Sequence, residues 1–175
     1  VRNLSNRTRN NYKDSLSQIF EIMLEREWIE INPCAGISYL RTTSTKHVAY
    51  TKAQQKTLET YLLSNNYPLY IFTRIIYHGF IRPVEVTRLR IADVDFERGI
   101  IMVPVEAAKN AKQMPVVITA GLRKDLKAFL DKYRGALPET AFLFSKGFKP
   151  GLIHYHRNRF SEAHREALEA TGLYG

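Results

Sequence analysis

Apolar positions near the start of the chain recur at helical spacing: Tyr12, Leu16, Ile19, Phe20, Met23 and Leu24 fall on one face. The pattern predicts an amphipathic helix that opens after a cap at Ser5 or Asn6 and runs to the neighbourhood of Glu27. Trp28, Ile29 and Ile31 add apolar mass before Asn32-Pro33 ends the segment, since the residue ahead of a proline is held out of helical geometry. One amphipathic helix cannot bury its stripe alone, so partner helices upstream of residue 1 are expected.

Residues 38–49, "SYLRTTSTKHVA", are polar and basic and show no period. They read as a linker and set a domain boundary, with 1–37 before it and 50–175 after it. Thr51 with Gln54 forms a capping box that opens a helix carrying Leu58, Tyr61 and Leu62. Asn65-Asn66 breaks it. Pro68 starts a second helix, whose run "LYIFTRIIY" ends at Gly79, a candidate left-handed C-cap. Pro83 suits the first turn of the next helix, which would hold Val84, Val86 and Leu89.

The runs "GIIMVPV" and "QMPVVI" are strand-like and separated by "EAAKNAK", which predicts a hairpin around Lys109. Leu122, Leu126, Phe129 and Leu130 mark a further helix. "AFLF" is a short apolar run, and a last helix spans about Tyr155 to Ala170. The fold class is therefore mainly α with a small antiparallel β-sheet (α+β).

Charge narrows the partners. The chain has 26 Lys and Arg against 17 Asp and Glu, a formal charge of +9, which points to a polyanion such as nucleic acid. A single cysteine, Cys34, excludes an internal disulfide and any multi-cysteine zinc site. It follows Asn32-Pro33 and reads as a small packed residue rather than a nucleophile. No run reaches the eighteen or so apolar residues of a membrane span, and no signal-peptide pattern opens the chain. A soluble protein of the cytoplasm or nucleoid, without a membrane partner, is the expectation. The chain opens on Val1 rather than Met and leads almost directly into a helix, as expected at a segment boundary.

One stretch carries the candidate chemistry. "YHGFIRPVEVTRLRIADVDF" ends an apolar helix in His78-Gly79, then places Arg82 directly before Pro83 and Glu85 three residues on. An arginine between a helix end and the next helix start is held on rigid backbone. Its planar guanidinium can donate two hydrogen bonds to phosphate oxygens. The other reading is a solvated ion pair with Glu85, worth little.

The order of helix, Gly, Arg-Pro-x-Glu helix and lysine-bearing hairpin resembles the tyrosine recombinases, the phage-integrase family. His78-Gly79-Phe80-Ile81-Arg82-Pro83-Val84-Glu85 matches that family's first signature, and "VTRLRIADVDF" its Leu-x-x-x-Asp-(Val or Ile)-Asp continuation. "AAKNAKQMPVVI" looks like its lysine hairpin. "RNNYKDSLSQIFEIMLEREWIEINPCAGI" resembles the last helices of its core-binding domain. Three segments in order, over almost the whole chain, are far more specific than any one of them.

The resemblance implies site-specific recombination or integration: DNA strands are cut and rejoined through a 3′-phosphotyrosyl bond, with no metal and no energy cofactor. Arg82 would contact the scissile phosphate and Glu85 would support it. Lys109 would be the general acid for the leaving 5′ oxygen, with Lys112 as its close competitor and a DNA contact. Arg41 and Lys46 in the linker are further candidate DNA contacts. Double-stranded DNA is the implied partner, with a tetramer on paired sites as the working assembly of a mobile-element enzyme.

The family also requires a His-x-x-Arg pair, a further His or Trp and the nucleophilic tyrosine. His154 with Arg157 and His156 with Arg159 have the right spacing, but residues 155–173 resemble the helix before that pair. Neither Tyr174 nor the other nine tyrosines matches the nucleophile's position. The expectation is a truncated catalytic domain: the end of a core-binding domain plus the first half of the catalytic one, inactive alone. A non-catalytic DNA-binding module is the main alternative. A metal-dependent nuclease ranks lower, because Asp93 and Asp95 have no identifiable acidic partner.

Overall fold

The computed structural model describes residues 4–43, 49–105, 112–133 and 135–174. The chain forms two compact units, Val1–Ala49 and Tyr50–Gly175.

The first unit is built on α1, Asn6–Glu25, capped by the Ser5 side chain, which accepts from the Thr8 N–H at 3.2 Å. Asn32 then makes a buried turn. Its amide donates to the Ser17 carbonyl and hydroxyl, while its oxygen accepts from the Cys34 N–H at 2.8 Å. Cys34 is buried by this turn. Residues 39–41, within the predicted linker, lie along the first half of α1. Asn10 bonds both the N–H and the carbonyl of Leu40 at 2.9 Å, and Asn6 donates to the Arg41 carbonyl. Lys13 sits over the Tyr39 ring. The apolar stripe of α1 is only partly covered: Tyr12, Leu16 and Ile19 are exposed, while Phe20, Met23 and Leu24 are half-buried.

The second unit opens with α2, Lys52–Asn65, under the complete Thr51–Gln54 capping box. Asn66 both ends α2 and caps α3, Tyr67–Gly79, by accepting from the Leu69 N–H. After α4, Pro83–Val86, come β1, Val94–Asp95, and β2, Ile100–Val103, then β3, Met114–Val117. The three form an antiparallel sheet in the order β1-β2-β3, with Ile101 opposite both Val94 and Val116. Pro115 stands opposite Met102 on β3, the edge strand, where its missing N–H leaves no ladder bond unmade.

Helix α5, Ala120–Asp131, packs on α3, and α6, Arg157–Ala170, packs on α2 and α3. The core between them is aromatic. Phe72 of α3 stacks on Phe160 of α6 with ring centroids 4.1 Å apart, and Phe129 of α5 stacks on Phe144 at 5.8 Å.

Helix α4 is shorter than the predicted one, which would have enclosed Leu89. It ends at Val86 because the chain turns to pair elsewhere. The Thr87 hydroxyl donates to the Val84 carbonyl. The Leu89 carbonyl then accepts from Leu143 at 2.7 Å, and the Ile91 N–H donates to Ala141 at 2.9 Å. The run "AFLF" is thus a buried connector, bridged on its other side by Phe142 and Gly151. Asp93 and Asp95 are turn caps, accepting from the N–H groups of Arg90 and Arg98.

Candidate functional site

The turn between α3 and α4 starts from a close approach. A Cβ on Gly79 would stand 3.0 Å from Val116 Cγ1 and 3.2 Å from Ile81 Cγ1, so β3 abuts the end of α3. Gly79 is the last helical residue. The left-handed cap predicted for it belongs to Phe80, at φ +51°, whose N–H bonds the Ile76 carbonyl at 2.9 Å. Glycine is used here for the room it leaves, not for its freedom at positive φ. Ile81 is buried, and Arg82 then leads into Pro83 with the extended backbone a following proline requires (φ −65°, ψ 142°).

Glu85 organises the turn. Its carboxylate accepts from the Arg82 backbone N–H at 3.0 Å and from Arg82 Nη1 at 3.0 Å. The glutamate side chain is only 2% exposed, whereas the arginine is 51% exposed. The ion pair weighed from the sequence is therefore present, but it is not a solvated one. A buried carboxylate grips one edge of a guanidinium whose remainder faces solvent. Such an arginine is held in direction and keeps donors for an anion.

Behind the turn lies a polar network not anticipated from the sequence. Arg74 of α3 reaches Glu59 of α2 at 3.3 Å and Asp125 of α5 at 3.6 Å. The Tyr70 hydroxyl donates to Asp125 Oδ2 at 3.1 Å, and the Tyr67 hydroxyl to the Asp125 carbonyl at 3.2 Å. Burial, opposed by Arg74 and reinforced by Asp125, pushes the Tyr70 hydroxyl up to about 12. His78 Nδ1 bonds the hydroxyl of Thr119, the cap of α5, at 3.1 Å. Burial first, and then the Arg74 charge, hold His78 below the usual histidine range. The network ties α2, α3 and α5 together just ahead of Arg82. One signal could have revealed it: Arg74 is the only charged residue in the run "LYIFTRIIY", and a charge on an apolar helix implies a partner.

Of the predicted site residues, Arg82 and Glu85 are brought together. Lys112 is described and exposed, in the segment leading into β3, the strand whose Val116 abuts Gly79. Lys109 and Lys46 lie outside the described residues. Arg41 is exposed in the first unit. His156 caps α6 and Arg159 pairs with Glu162 at 3.1 Å, so the structure gives these two separate local tasks. Among the described residues, no cluster of three His, Cys, Asp or Glu could hold a metal ion, and no helix is long and apolar enough to cross a membrane.

A sequence profile of the phage integrase family matches residues 49–174. The chain belongs to the phage integrase family. No curated protein sequence matches it significantly. Solved structures of tyrosine recombinases share the integrase fold. XerA recombinase superposes with a TM-score of 0.60 at 20% identity, over 75% of this chain and 46% of that one. A lambda integrase tetramer bound to a Holliday junction gives 0.70 at 15% identity, over 92% and 46%. The Tn1549 transposon integrase in complex with a circular intermediate DNA gives 0.71 at 20% identity, over 95% and 61%. The integrase chain thus spans about half of the length of two of these relatives and somewhat more of the third.

Proposed function

We propose that this chain is the part of a site-specific tyrosine recombinase that binds duplex DNA and presents Arg82 to the scissile phosphate. The observation that carries the reading is the Arg82–Glu85 arrangement at the α3–α4 break of an integrase-family domain. In phosphoryl transfer, charge grows on the non-bridging oxygens, and a guanidinium already oriented by a buried carboxylate needs no reorganisation to meet it. Glu85 is then a positioning residue that acts through Arg82.

Lys109 is assigned as the general acid for the leaving 5′ oxygen, with Lys112 as a phosphate contact near it, on the strength of the family hairpin. Arg41 and Lys46 are assigned to the DNA backbone. The lambda and Tn1549 integrases were solved on DNA, one as a tetramer on a Holliday junction. Duplex DNA as substrate and a tetramer as working assembly follow for this protein by analogy. The reading assigns residues 1–37 to the end of a core-binding domain and 50–175 to the catalytic domain. It places strand cleavage in a polypeptide that also carries the family's His-x-x-Arg pair and tyrosine, so this chain by itself is expected not to cut.

The test is covalent-adduct formation on a nicked suicide substrate by such a longer polypeptide, beside its Arg82→Ala and Lys109→Ala variants. Adduct with the wild type, and none with either variant while both still bind, is the expected result. A variant that cleaves at the wild-type rate removes that residue from the chemistry. A covalent adduct formed by the present chain would overturn the division of labour. A longer polypeptide that binds duplex DNA but never cleaves would favour the non-catalytic binding module.

A further inference from the structure

Three non-glycine residues among the described ones have left-handed backbone: Glu27, Phe80 and Phe148. That geometry is strained for any L side chain and is a true outlier for a bulky one. Two of the three have a local reason. Glu27 is polar and ends α1 in solvent, and Phe148 offsets its strain by packing, with its ring 4.9 Å from Phe160 and 5.6 Å from Tyr155. Phe80 has neither. It is 89% exposed, the most exposed large apolar side chain described, and contacts no ring. The cap itself needs only its backbone N–H, which glycine or asparagine would supply without strain. Folding thus disfavours phenylalanine at this position twice, through its backbone and through its surface. Strain that persists without a structural return marks functional positions.

Its place in the chain says what it meets. Ile81, the next residue, is buried, and Arg82 follows with its guanidinium half in solvent. Phe80 and Arg82 therefore emerge from one turn, with Cα atoms at most about 7 Å apart, the scale of one phosphate and its attached sugar. We infer that Phe80 lays its ring on the sugar and base edge of the nucleotide beside the phosphate held by Arg82. The inference rests on the DNA reading of Arg82. The deoxyribose is the same at every nucleotide, so the contact is largely independent of sequence, apolar and without charge.

The experiment uses this chain and a fluorescently labelled mixed-sequence duplex, with anisotropy titrations across a salt series and thermal melting in parallel. Phe80→Gly, Phe80→Asn and Arg82→Ala are compared with the wild type. Phe80→Gly and Phe80→Asn are each expected to weaken binding about five- to fifty-fold at every salt concentration, as for uncovering part of an apolar ring. The slope of log affinity against log salt should stay unchanged, because no counterion is released by a ring. Their melting temperatures should equal or exceed that of the wild type, since both residues accept positive φ. Arg82→Ala should instead flatten the salt slope by roughly one phosphate contact.

If Arg82→Ala behaves so but both Phe80 variants bind like the wild type, the ring does not touch DNA and the inference is lost while the Arg82 reading stands. If both Phe80 variants melt well below the wild type, the ring serves protein packing, and the inference is again lost. If the wild type shows no salt-dependent binding, or Arg82→Ala leaves it unchanged, the DNA reading of Arg82 itself fails.

Discussion

Glu85 offers the sharpest test of how the α3–α4 turn is held. Replacing it with alanine removes a carboxylate that is 2% exposed and makes two hydrogen bonds of 3.0 Å to Arg82. The two bonds are not equal in consequence. The guanidinium is half in water, so its loss is largely made good by solvent and resembles a surface pair, about 0–1 kcal/mol. The Arg82 N–H sits at the start of α4 and donates to the buried carboxylate; left without a partner, such a donor costs about 1–3 kcal/mol.

Together these give a destabilisation of about 1–4 kcal/mol. For a chain of this size, each kcal/mol moves the melting temperature by about 2–4 °C. Glu85→Ala is expected to melt about 2–16 °C lower. Glu85→Gln keeps the volume and one acceptor, which can serve the N–H or the guanidinium but not both, so about half that loss is expected. Far-UV circular dichroism is the right probe, because the single tryptophan, Trp28, belongs to the first unit and would report on the wrong transition. An alanine variant melting within a degree of the wild type would show that the carboxylate does not hold the turn. A glutamine variant more stable than the wild type would mean that burying the charge outweighs its bonds.

Acid should weaken the second unit. His78, His154 and His164 are all held below the ordinary value of 6.5, chiefly by burial. Below that value the unfolded chain takes up protons that the folded one refuses, so stability falls as pH drops; the urea midpoint should be lower at about pH 5.5 than at about pH 7.5, and His164→Gln should reduce the difference. At Gly151, an added Cβ would lie 2.9 Å from both Ser145 Cβ and Oγ. Ser145 cannot yield freely, because its buried hydroxyl donates to the Ile153 carbonyl at 2.6 Å. Gly151→Ala should cost about 1–3 kcal/mol in chemical denaturation, and adding Ser145→Gly should recover part of it; no change in the single variant would contradict the contact. The Cys34 thiol is buried beneath the Asn32 turn, so a thiol reagent should label it far more slowly in the native chain than in denaturant. Equal rates would mean that the turn is open in solution.

Local order was written in the sequence because it depends on neighbours a few residues away. The Thr51–Gln54 box, the Asn66 break, the strand runs 100–103 and 114–117 and the period of α5 follow from capping chemistry and hydrophobic spacing alone. The fold class followed from their order, and the integrase family from the residues around Arg82. Tertiary structure decided what those residues do. Gly79 stays helical and leaves room for Val116, from a strand distant in sequence, while the left-handed cap falls to Phe80. Helix α4 stopped at Val86 because Leu89 and Ile91 find backbone partners in 141–143. Glu85 became a buried clamp, and not a solvated partner, only once the turn packed over it. Arg74 acquired Glu59 and Asp125 from two other helices. A charge, a glycine or a bend is visible in one dimension, but its burial and its partner are properties of segments that meet only when the chain has folded.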